Sequence, residues 1–208
     1  MNMDRLESQL LKLIAVHDWK KIIQLSDDYS FIEKSRFLWA WPTEKCLQEL
    51  KTVLAENCVE SVLSIGCGSG LLEWIIEEMM DIPVSGVERN HSMWTTKYSP
   101  SIFIRVRFID GDPKPEYLQN CAVTTDHFAL LFCYFNNRSA FDKYIDAFRG
   151  DVVLIVGPQN DRNIVTDPLP MNPKFTYGSK WSVKAVINID DYNVIAVYRR
   201  LTQLKKFS

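Results

Sequence analysis

A glycine-rich turn between a short apolar run and a helical stretch is the strongest chemical signal in the sequence. The run Val59–Ile65 leads into Gly66–Gly70, and Leu71–Met80 then has the spacing of a buried helix. Glycines let a ligand approach the backbone closely, and a helix N-terminus offers unpaired N–H groups to polar or anionic ligands. Glu88 lies at the end of the next apolar run, where a carboxylate can accept both hydroxyls of a ribose. The turn and the acid together predict a site for an adenosine-containing cofactor.

A second group of polar side chains ends the apolar run Phe128–Phe135. Because ligands bind outside the carboxyl ends of parallel strands, we expect Cys133, Tyr134, Asn136 and Asn137 to face one crevice. The two amides can orient a substrate, and the tyrosine can donate a hydrogen bond. A plain loop after a buried strand is the other interpretation, and the sequence leaves both open.

The elements that must position these residues alternate along the chain. Apolar runs at Val84–Val87, Phe103–Ile109 and Val152–Val156 are separated by helical stretches, of which Ser139–Phe148 is one. Short buried strands that alternate with helices predict βαβ units and a parallel sheet covered on both faces.

Both ends of the chain depart from this alternation. Two β-rich runs, Trp181–Ile189 and Asn193–Arg200, are joined by a loop too short for a crossover helix, so they must be antiparallel. The first part of the chain has amphipathic helical spacing, as in Thr43–Asn57. We therefore predict an α/β fold with a mostly parallel sheet and a C-terminal antiparallel hairpin. Residues 1–57 would form a helical extension or lid, and residues 58–208 one compact cofactor-binding unit.

The spacing of the glycines favours one cofactor class over another. A dinucleotide fingerprint, GxGxxG, has glycine or alanine at its sixth position, whereas this chain has Leu71 there and reads GxGxG. Residues 40–200 resemble the class I S-adenosylmethionine-dependent methyltransferases, in a poorly characterised methyltransferase-like branch. Besides the GxGxG pattern, the matching features are Glu88, Asp110-Gly-Asp112 after the third run, and the closing hairpin. The resemblance implies a Rossmann-like fold, S-adenosyl-L-methionine as cofactor, S-adenosyl-L-homocysteine as product, and methyl transfer to a small or polar acceptor.

The resemblance also implies roles for individual residues. Glu88 would bind the ribose and Asp112 the adenine edge, with Asp110 as second choice, although a surface turn explains both aspartates equally well. Trp39 and Trp41 are similar to an element that closes over the sulfonium end of the cofactor, and burial in the core is their other interpretation. The predicted cofactor-binding residues are therefore Gly66, Cys67, Gly68, Gly70, Glu88, Asp110, Asp112, Trp39, Trp41 and Cys133, and the predicted catalytic residues are Tyr134, Asn136 and Asn137.

The acceptor is less defined than the cofactor. Methyl transfer needs a general base only when the acceptor keeps a proton until attack, and Asp126, Tyr134 and His91 are candidates. Family members that methylate amino groups carry Asn or Asp, two prolines and an aromatic where this chain has Cys133–Asn137, which argues against a nucleobase or a glutamine amide. The long, proline-containing segment 157–180 is expected to wall the acceptor site.

Composition and charge exclude several classes of protein. The 208 residues are 47% hydrophobic and 24% charged, which is ordinary for a globular chain, and the formal net charge of -2 argues against a broad nucleic-acid surface. The five scattered cysteines contain no CxxC pair, which predicts reduced thiols and no metal site.

The sequence shows no signal peptide and no membrane span, so we expect a cytoplasmic or nuclear location. A protein partner remains open. Two other functions also remain open: a methyltransferase-like binding or scaffold protein without turnover and, more weakly, a nicotinamide-dependent oxidoreductase.

Overall fold

The computed structural model describes residues 3–122, 127–160, 166–176 and 180–201. The helices are α1 Met3–Ala15, α2 Trp19–Gln24, α3 Phe31–Lys34, α4 Glu44–Glu56, α5 Leu71–Met80, α6 His91–Trp94, α7 Pro115–Cys121 and α8 Arg138–Ala147, with a 3-10 turn at Leu25–Asp27. The strands are β1 Ser61–Ile65, β2 Val84–Glu88, β3 Arg105–Phe108, β4 Phe128–Cys133, β5 Val152–Pro158, β6 Trp181–Asn188 and β7 Asn193–Arg200.

The strands of the described residues form one sheet in the order β3-β2-β1-β4-β5-β7-β6. Strands β1 to β5 pair in parallel, whereas β7 is antiparallel to both β5 and β6. This order, with one reversed strand inserted next to β5, is the Rossmann-like fold of class I methyltransferases. The predicted fold, including the terminal hairpin, is confirmed.

Alternate residues of the central strands enter the cores on opposite faces of the sheet. Val62, Leu131 and Leu154 belong to the core on one face, while Leu63 and Leu130 belong to the core on the other. Because helices cover both faces, β1 is buried along its whole length, including its two serines, Ser61 and Ser64.

The N-terminal helices pack into the core on one face of the sheet. Leu6, Leu10 and Ile22 are fully buried in the same cluster as Leu47 of α4 and Ile75 of α5. The extension predicted over residues 1–57 therefore shares its hydrophobic core with the sheet. Within the described residues, no helix has both the length and the apolar character needed to cross a membrane.

Helix α7 is an element that the hydrophobic pattern does not reveal. Its seven residues bury Leu118 and Cys121, too few for a helical stripe, and Pro115 at its first position marks the start. Helix α6 is shorter still, with four residues from His91 to Trp94.

Part of segment 157–180, which the sequence predicts to line the acceptor site, is held against α8 and the C-terminal hairpin. The hydroxyl of Tyr198 in β7 donates to the carbonyl of Pro170 over 2.7 Å, and Arg138 of α8 pairs with Asp167. The ring of Phe175 stacks on Trp181 with centroids 5.1 Å apart. Residues 166–176 are thus bound to α8 and the hairpin, while residues 161–165 and 177–179 of the segment lie outside the described residues.

Candidate functional site

The glycine turn connects β1 to α5 in a conformation that favours glycine. Gly68 and Gly70 have φ angles of 59° and 76°, in the left-handed region. A Cβ on Gly70 would lie 2.3 Å from Cγ1 of Ile104, so this glycine permits close packing. A Cβ on Gly68 would first meet the Trp94 ring at 3.7 Å, an ordinary van der Waals distance, so packing against the protein does not exclude a side chain there. Close packing therefore requires glycine at position 70 and does not require it at position 68.

A cavity of about 480 Å³ lies against this turn at the carboxyl ends of β1 and β4. We call it the glycine-turn cavity. It is lined by Ser35, Arg36, Phe37, Leu38, Trp39, Gly66, Cys67, Gly68, Ser69, Leu72, Glu73, Trp94, Cys133, Tyr134 and Asn136. Seven of the residues predicted from the sequence for cofactor or substrate, from three separate parts of the chain, thus line one space: Trp39, Gly66, Cys67, Gly68, Cys133, Tyr134 and Asn136.

Ser69 of the turn holds both the N-terminal segment and the segment before β3 by direct hydrogen bonds. The hydroxyl of Ser69 donates to the carbonyl of Phe37 over 2.8 Å, and the amide of Phe103 donates to the carbonyl of Ser69 over 2.8 Å. Ser69 is buried, so both bonds lie in a low-dielectric environment. The segment before α4 therefore forms one wall of the glycine-turn cavity.

Glu88 ends β2 with a carboxylate oxygen that lacks a partner. Its Oε2 atom is buried and accepts no hydrogen bond in the described structure. Burial raises the pKa of Glu88 to about 7, and Glu73 adds to the rise, while a hydrogen bond from the Arg89 amide opposes it. A buried acceptor without a donor is costly, so this atom is suited to a ligand hydroxyl.

Glu88 lines a neighbouring cavity of about 460 Å³, which shares one wall with the glycine-turn cavity. The lining residues of this Glu88 cavity are Glu88, Arg89, Asn90, Met93, Trp94, Thr96, Tyr98, Ser99 and Pro100. Trp94 borders both cavities.

The two aspartates predicted to contact adenine lie apart from these cavities. Asp110 is exposed, and Asp112 is exposed and pairs with Lys143, whose Nζ lies 2.7 Å from Oδ1. Neither residue lines the glycine-turn cavity or the Glu88 cavity. Their role toward adenine stays a prediction from the sequence.

The two tryptophans have different surroundings. Trp39 is 45% exposed, and its ring lies 5.3 Å from that of Tyr134 and 5.6 Å from that of Phe31, measured between centroids. Trp41 is buried, and its indole N–H donates to the carbonyl of Ile23 over 3.1 Å. Only Trp39 of this pair lines the glycine-turn cavity, whereas Trp41 is fixed in the core beside a second cavity.

That second cavity has a volume of about 400 Å³ and lies on the other side of Leu38, Trp39 and Tyr134. We call it the aromatic cavity, because five aromatic residues line it. Its lining residues are Phe31, Lys34, Leu38, Trp39, Trp41, Tyr134, Pro158, Gln159, Asn160, Asp190, Asp191, Tyr192 and Asn193. The start of the segment after Gly157 therefore borders this cavity.

The polar residues after β4 divide into cavity residues and structural ones. The hydroxyl of Tyr134 donates to Oδ1 of Asn193, and burial raises the pKa of Tyr134 to about 12, so the phenol keeps its proton at neutral pH. Asn136 lines the glycine-turn cavity. Asn137 caps α8, where its Oδ1 accepts from the Ala140 amide over 3.0 Å. Burial keeps the Cys133 thiol neutral by raising its pKa well above the usual value.

The candidates for a general base are not brought together at the cavities. His91 is exposed and packs edge-on against Phe108, with centroids 4.6 Å apart. Asp126 lies outside the described residues. Among the residues that the structure describes, no cluster of three or more His, Cys, Asp or Glu side chains could hold a metal ion.

Glu73 is a cavity residue that the sequence interpretation missed. It lies in the first turn of α5, is 2% exposed, and its Oε1 accepts from the Ser64 hydroxyl over 2.6 Å. Burial raises its pKa to about 7. A glutamate on the buried face of Leu71–Met80 was the available signal, because an acid seldom occupies such a face without a reason.

No protein-family model matches the chain, and no curated protein matches it. Several solved structures have a similar fold. A structure described as a type 11 methyltransferase from Sulfolobus solfataricus is 15% identical, covers 78% of this chain and 95% of its own, and has a TM-score of 0.49. Aeropyrum pernix fibrillarin with natively bound S-adenosyl-L-methionine is 15% identical, covers 74% of each chain, and has a TM-score of 0.45.

A third structure, described as a caffeoyl-CoA O-methyltransferase from Staphylococcus aureus, is 18% identical, covers 86% of this chain and 98% of its own, and has a TM-score of 0.46. At these identities the similarity concerns the fold alone. Function must be inferred from the cavities and their residues.

Proposed function

We propose that the protein is an S-adenosylmethionine-dependent methyltransferase that acts on a small or polar acceptor. The observation that carries this proposal is the buried, unpartnered Oε2 of Glu88 at the end of β2, in the cavity that adjoins the glycine-turn cavity. A ribose hydroxyl would give that oxygen the donor it lacks. When bound, S-adenosylmethionine supplies a methyl group already activated by positive sulfur.

The residues present fit such a cofactor. Gly68 lines the glycine-turn cavity without a side chain, and the N-terminus of α5 points its peptide dipoles toward that cavity. Glu88 would hold the ribose, and the glycine-turn cavity would take the rest of the molecule. Because Trp94 borders both cavities, its side chain is expected to pack against a ligand that occupies them together.

The acceptor is proposed to enter through the aromatic cavity. Trp39 and Tyr134 form the wall that it shares with the glycine-turn cavity, so an acceptor there would approach the cofactor past these two rings. Aromatic walls with Asn160 and Gln159 among them suit a flat or polar small molecule. The protein's contribution to the reaction is chiefly positioning of the acceptor and exclusion of water.

Tyr134 is proposed as a hydrogen-bonding residue, with no role as a base. Its phenol keeps its proton at neutral pH, and the hydroxyl donates a hydrogen bond to Asn193. The oxygen lone pairs remain able to accept from an acceptor N–H or O–H. Asn136, on the same cavity wall, is proposed to orient the acceptor.

The first experiment is calorimetry with S-adenosylhomocysteine, S-adenosylmethionine and NAD side by side. We expect binding of the first two and none of NAD. Glu88→Ala should weaken binding by roughly ten- to a hundredfold, since hydrogen bonds to a charged group contribute about 1.5–3 kcal/mol. Glu78→Ala, on the surface of α5, is the control and should bind as wild type. Folded protein that binds neither adenosine compound at millimolar concentration would contradict the cofactor assignment.

A binding protein without turnover is the second candidate, and one feature favours it. Cys133–Asn137 lacks the two prolines that amino-methylating relatives carry at this place. Cofactor labelled on its methyl group, incubated with cell extract and wild-type protein, separates the two functions. Transfer of label that requires Asn136 supports an enzyme, whereas tight cofactor binding without any transfer supports the binding protein.

A further inference from the structure

The lining of the aromatic cavity carries more negative than positive charge. Asp190 and Asp191, in the turn between β6 and β7, line it, and Lys34 is the cation among its described lining residues. The ammonium of Lys34 already has a partner, because it donates to the carbonyl of Ser26 over 2.6 Å. Among the described residues, neither aspartate forms a salt bridge. The cavity therefore has room, in charge, for a further cation.

Asp190 holds its carboxylate in a fixed position at this cavity. Its Oδ1 accepts from the amides of Tyr192 and Asn193 over 2.7 and 2.8 Å, and its Oδ2 accepts from Nδ2 of Asn193 over 2.8 Å. The charge of this carboxylate also reaches the partition between the two cavities. Burial chiefly raises the pKa of Tyr134 to about 12, and the nearby Cys133 and Asp190 add to the rise. A negative potential at this wall attracts a positively charged ligand.

The aromatic walls of the cavity also suit a cation, because the faces of aromatic rings attract positive charge. The Nζ of Lys34 lies 6.0 Å from the centroid of the Trp41 ring. Elsewhere on the walls, Trp39 is 45% exposed and its ring lies 5.3 Å from that of Tyr134. Within the part of the chain that the structure describes, no lysine or arginine lies over either of these two rings. Their faces are thus available to a cation from outside the chain.

We propose that the aromatic cavity binds an alkylammonium group, and that the methyl acceptor is a small aliphatic amine. The inference rests on the proposed function and adds the chemical class of its acceptor. Trp39 and Tyr134 would contact the cation with their rings, while Asp190 and Asp191 supply the opposite charge. The cavity volume of about 400 Å³ lies in the range of small-molecule sites.

Methylation of such an amine balances without a further reactant except water. The bound ammonium gives a proton to water, and the freed nitrogen lone pair forms a bond to the methyl carbon. The bond between that carbon and sulfur breaks at the same time, and its electron pair stays on sulfur. The products are S-adenosylhomocysteine and a methylated ammonium compound. A cation therefore enters the cavity and a cation leaves it, so the same walls accommodate acceptor and product.

The test compares choline with its carbon isostere dimethylbutanol, which has the same shape without the charge. In a calorimetric titration without cofactor, we expect the protein to bind choline roughly tenfold more tightly than the isostere. Asp191→Asn should weaken choline binding by about two- to fivefold and leave isostere binding unchanged. Trp39→Leu keeps an apolar wall but should remove most of the preference for choline. Asp146→Asn makes the same change of charge on the exposed side of α8 and should alter neither ligand.

Equal affinity of wild type for choline and dimethylbutanol would overturn the inference. So would a preference for choline that survives both Asp191→Asn and Trp39→Leu. Titration with S-adenosylhomocysteine measures the proposed function separately. Protein that binds S-adenosylhomocysteine without preferring choline keeps the proposed function and loses this inference. A preference for choline without S-adenosylhomocysteine binding supports the ammonium site and overturns its role in methyl transfer.

The charge of the product gives a second measurement. Protein incubated with methyl-labelled cofactor and the small-molecule fraction of a cell extract should yield a labelled product that a cation exchanger retains at neutral pH. A labelled product without positive charge would overturn the amine assignment. Absence of any labelled product would contradict the proposed enzyme, and the choline titration then decides the ammonium site by itself.

Discussion

The rings of Trp39 and Tyr134 lie against each other, with centroids 5.3 Å apart and planes inclined by 38°. The first comes from the segment before α4 and the second from the end of β4, so residues far apart in sequence form one partition between two cavities. The position of Tyr134 is fixed at its other end by the hydrogen bond to Asn193 on β7. This partition is where a cofactor and an acceptor would meet.

Trp39→Ala should open the partition and lower methyl transfer much more than cofactor affinity. Loss of the indole lets water enter the space between the cavities and removes the surface that positions the acceptor. We expect turnover to fall by at least tenfold, with a smaller change in S-adenosylhomocysteine affinity. Trp39→Phe keeps an aromatic wall and should retain most activity. Equal turnover in wild type and Trp39→Ala would show that the acceptor uses another route.

The neighbouring amides Asn136 and Asn137 should respond in opposite ways to replacement by alanine. Asn137 caps α8, so Asn137→Ala should lower the free energy of unfolding by about 1 kcal/mol and leave turnover nearly unchanged. Asn136 lines the glycine-turn cavity, so Asn136→Ala should lower turnover with little effect on unfolding. Urea unfolding and label transfer on both variants measure this. A loss of turnover confined to Asn137→Ala would reverse the two roles.

Replacing two glycines of the turn should separate ligand access from packing. Gly68→Val should abolish S-adenosylhomocysteine binding, since the side chain would enter the glycine-turn cavity, at a strain of about 1–2 kcal/mol for its positive φ. Gly70→Ala should destabilise the fold by several kcal/mol, because its Cβ would lie 2.3 Å from Ile104. Thermal unfolding and calorimetry distinguish the outcomes, and normal ligand binding in Gly68→Val would place the site elsewhere.

Glu73→Gln should raise stability at alkaline pH relative to wild type. Burial raises the pKa of folded Glu73 from 4.5 to about 7, so folded wild type holds this proton more tightly than the unfolded chain does. Protonation of Glu73 therefore contributes to the free energy of unfolding below about pH 4.5, and this contribution is lost as pH rises through about 7. The total loss is on the order of 3 kcal/mol. The glutamine does not titrate, so the free energy of unfolding of the variant should rise relative to that of wild type between pH 5 and pH 8. Chemical denaturation at both pH values measures the difference, and a constant difference would contradict it.

The sequence determined the order of the strands and the identity of the turn, because both depend on local features. The apolar runs predicted the parallel strands, and the short loop between Asn188 and Asn193 required an antiparallel hairpin. The GxGxG pattern and Glu88 pointed to an adenosine compound, because glycine spacing and an acid at a strand end are local in the chain. Helix α7 was not predicted from the sequence, because it buries too few residues to form an apolar stripe with helical spacing.

The tertiary structure alone decided which side chains border the cavities. Trp39 and Trp41 are two residues apart, yet one lines the glycine-turn cavity and the other is buried with its N–H on Ile23. Asn136 and Asn137 divide in the same way between a cavity wall and a helix cap. Glu73 and Arg36 share a cavity only because α5 and the N-terminal segment pack together there. Such assignments depend on contacts between distant elements, and periodicity carries no information about them.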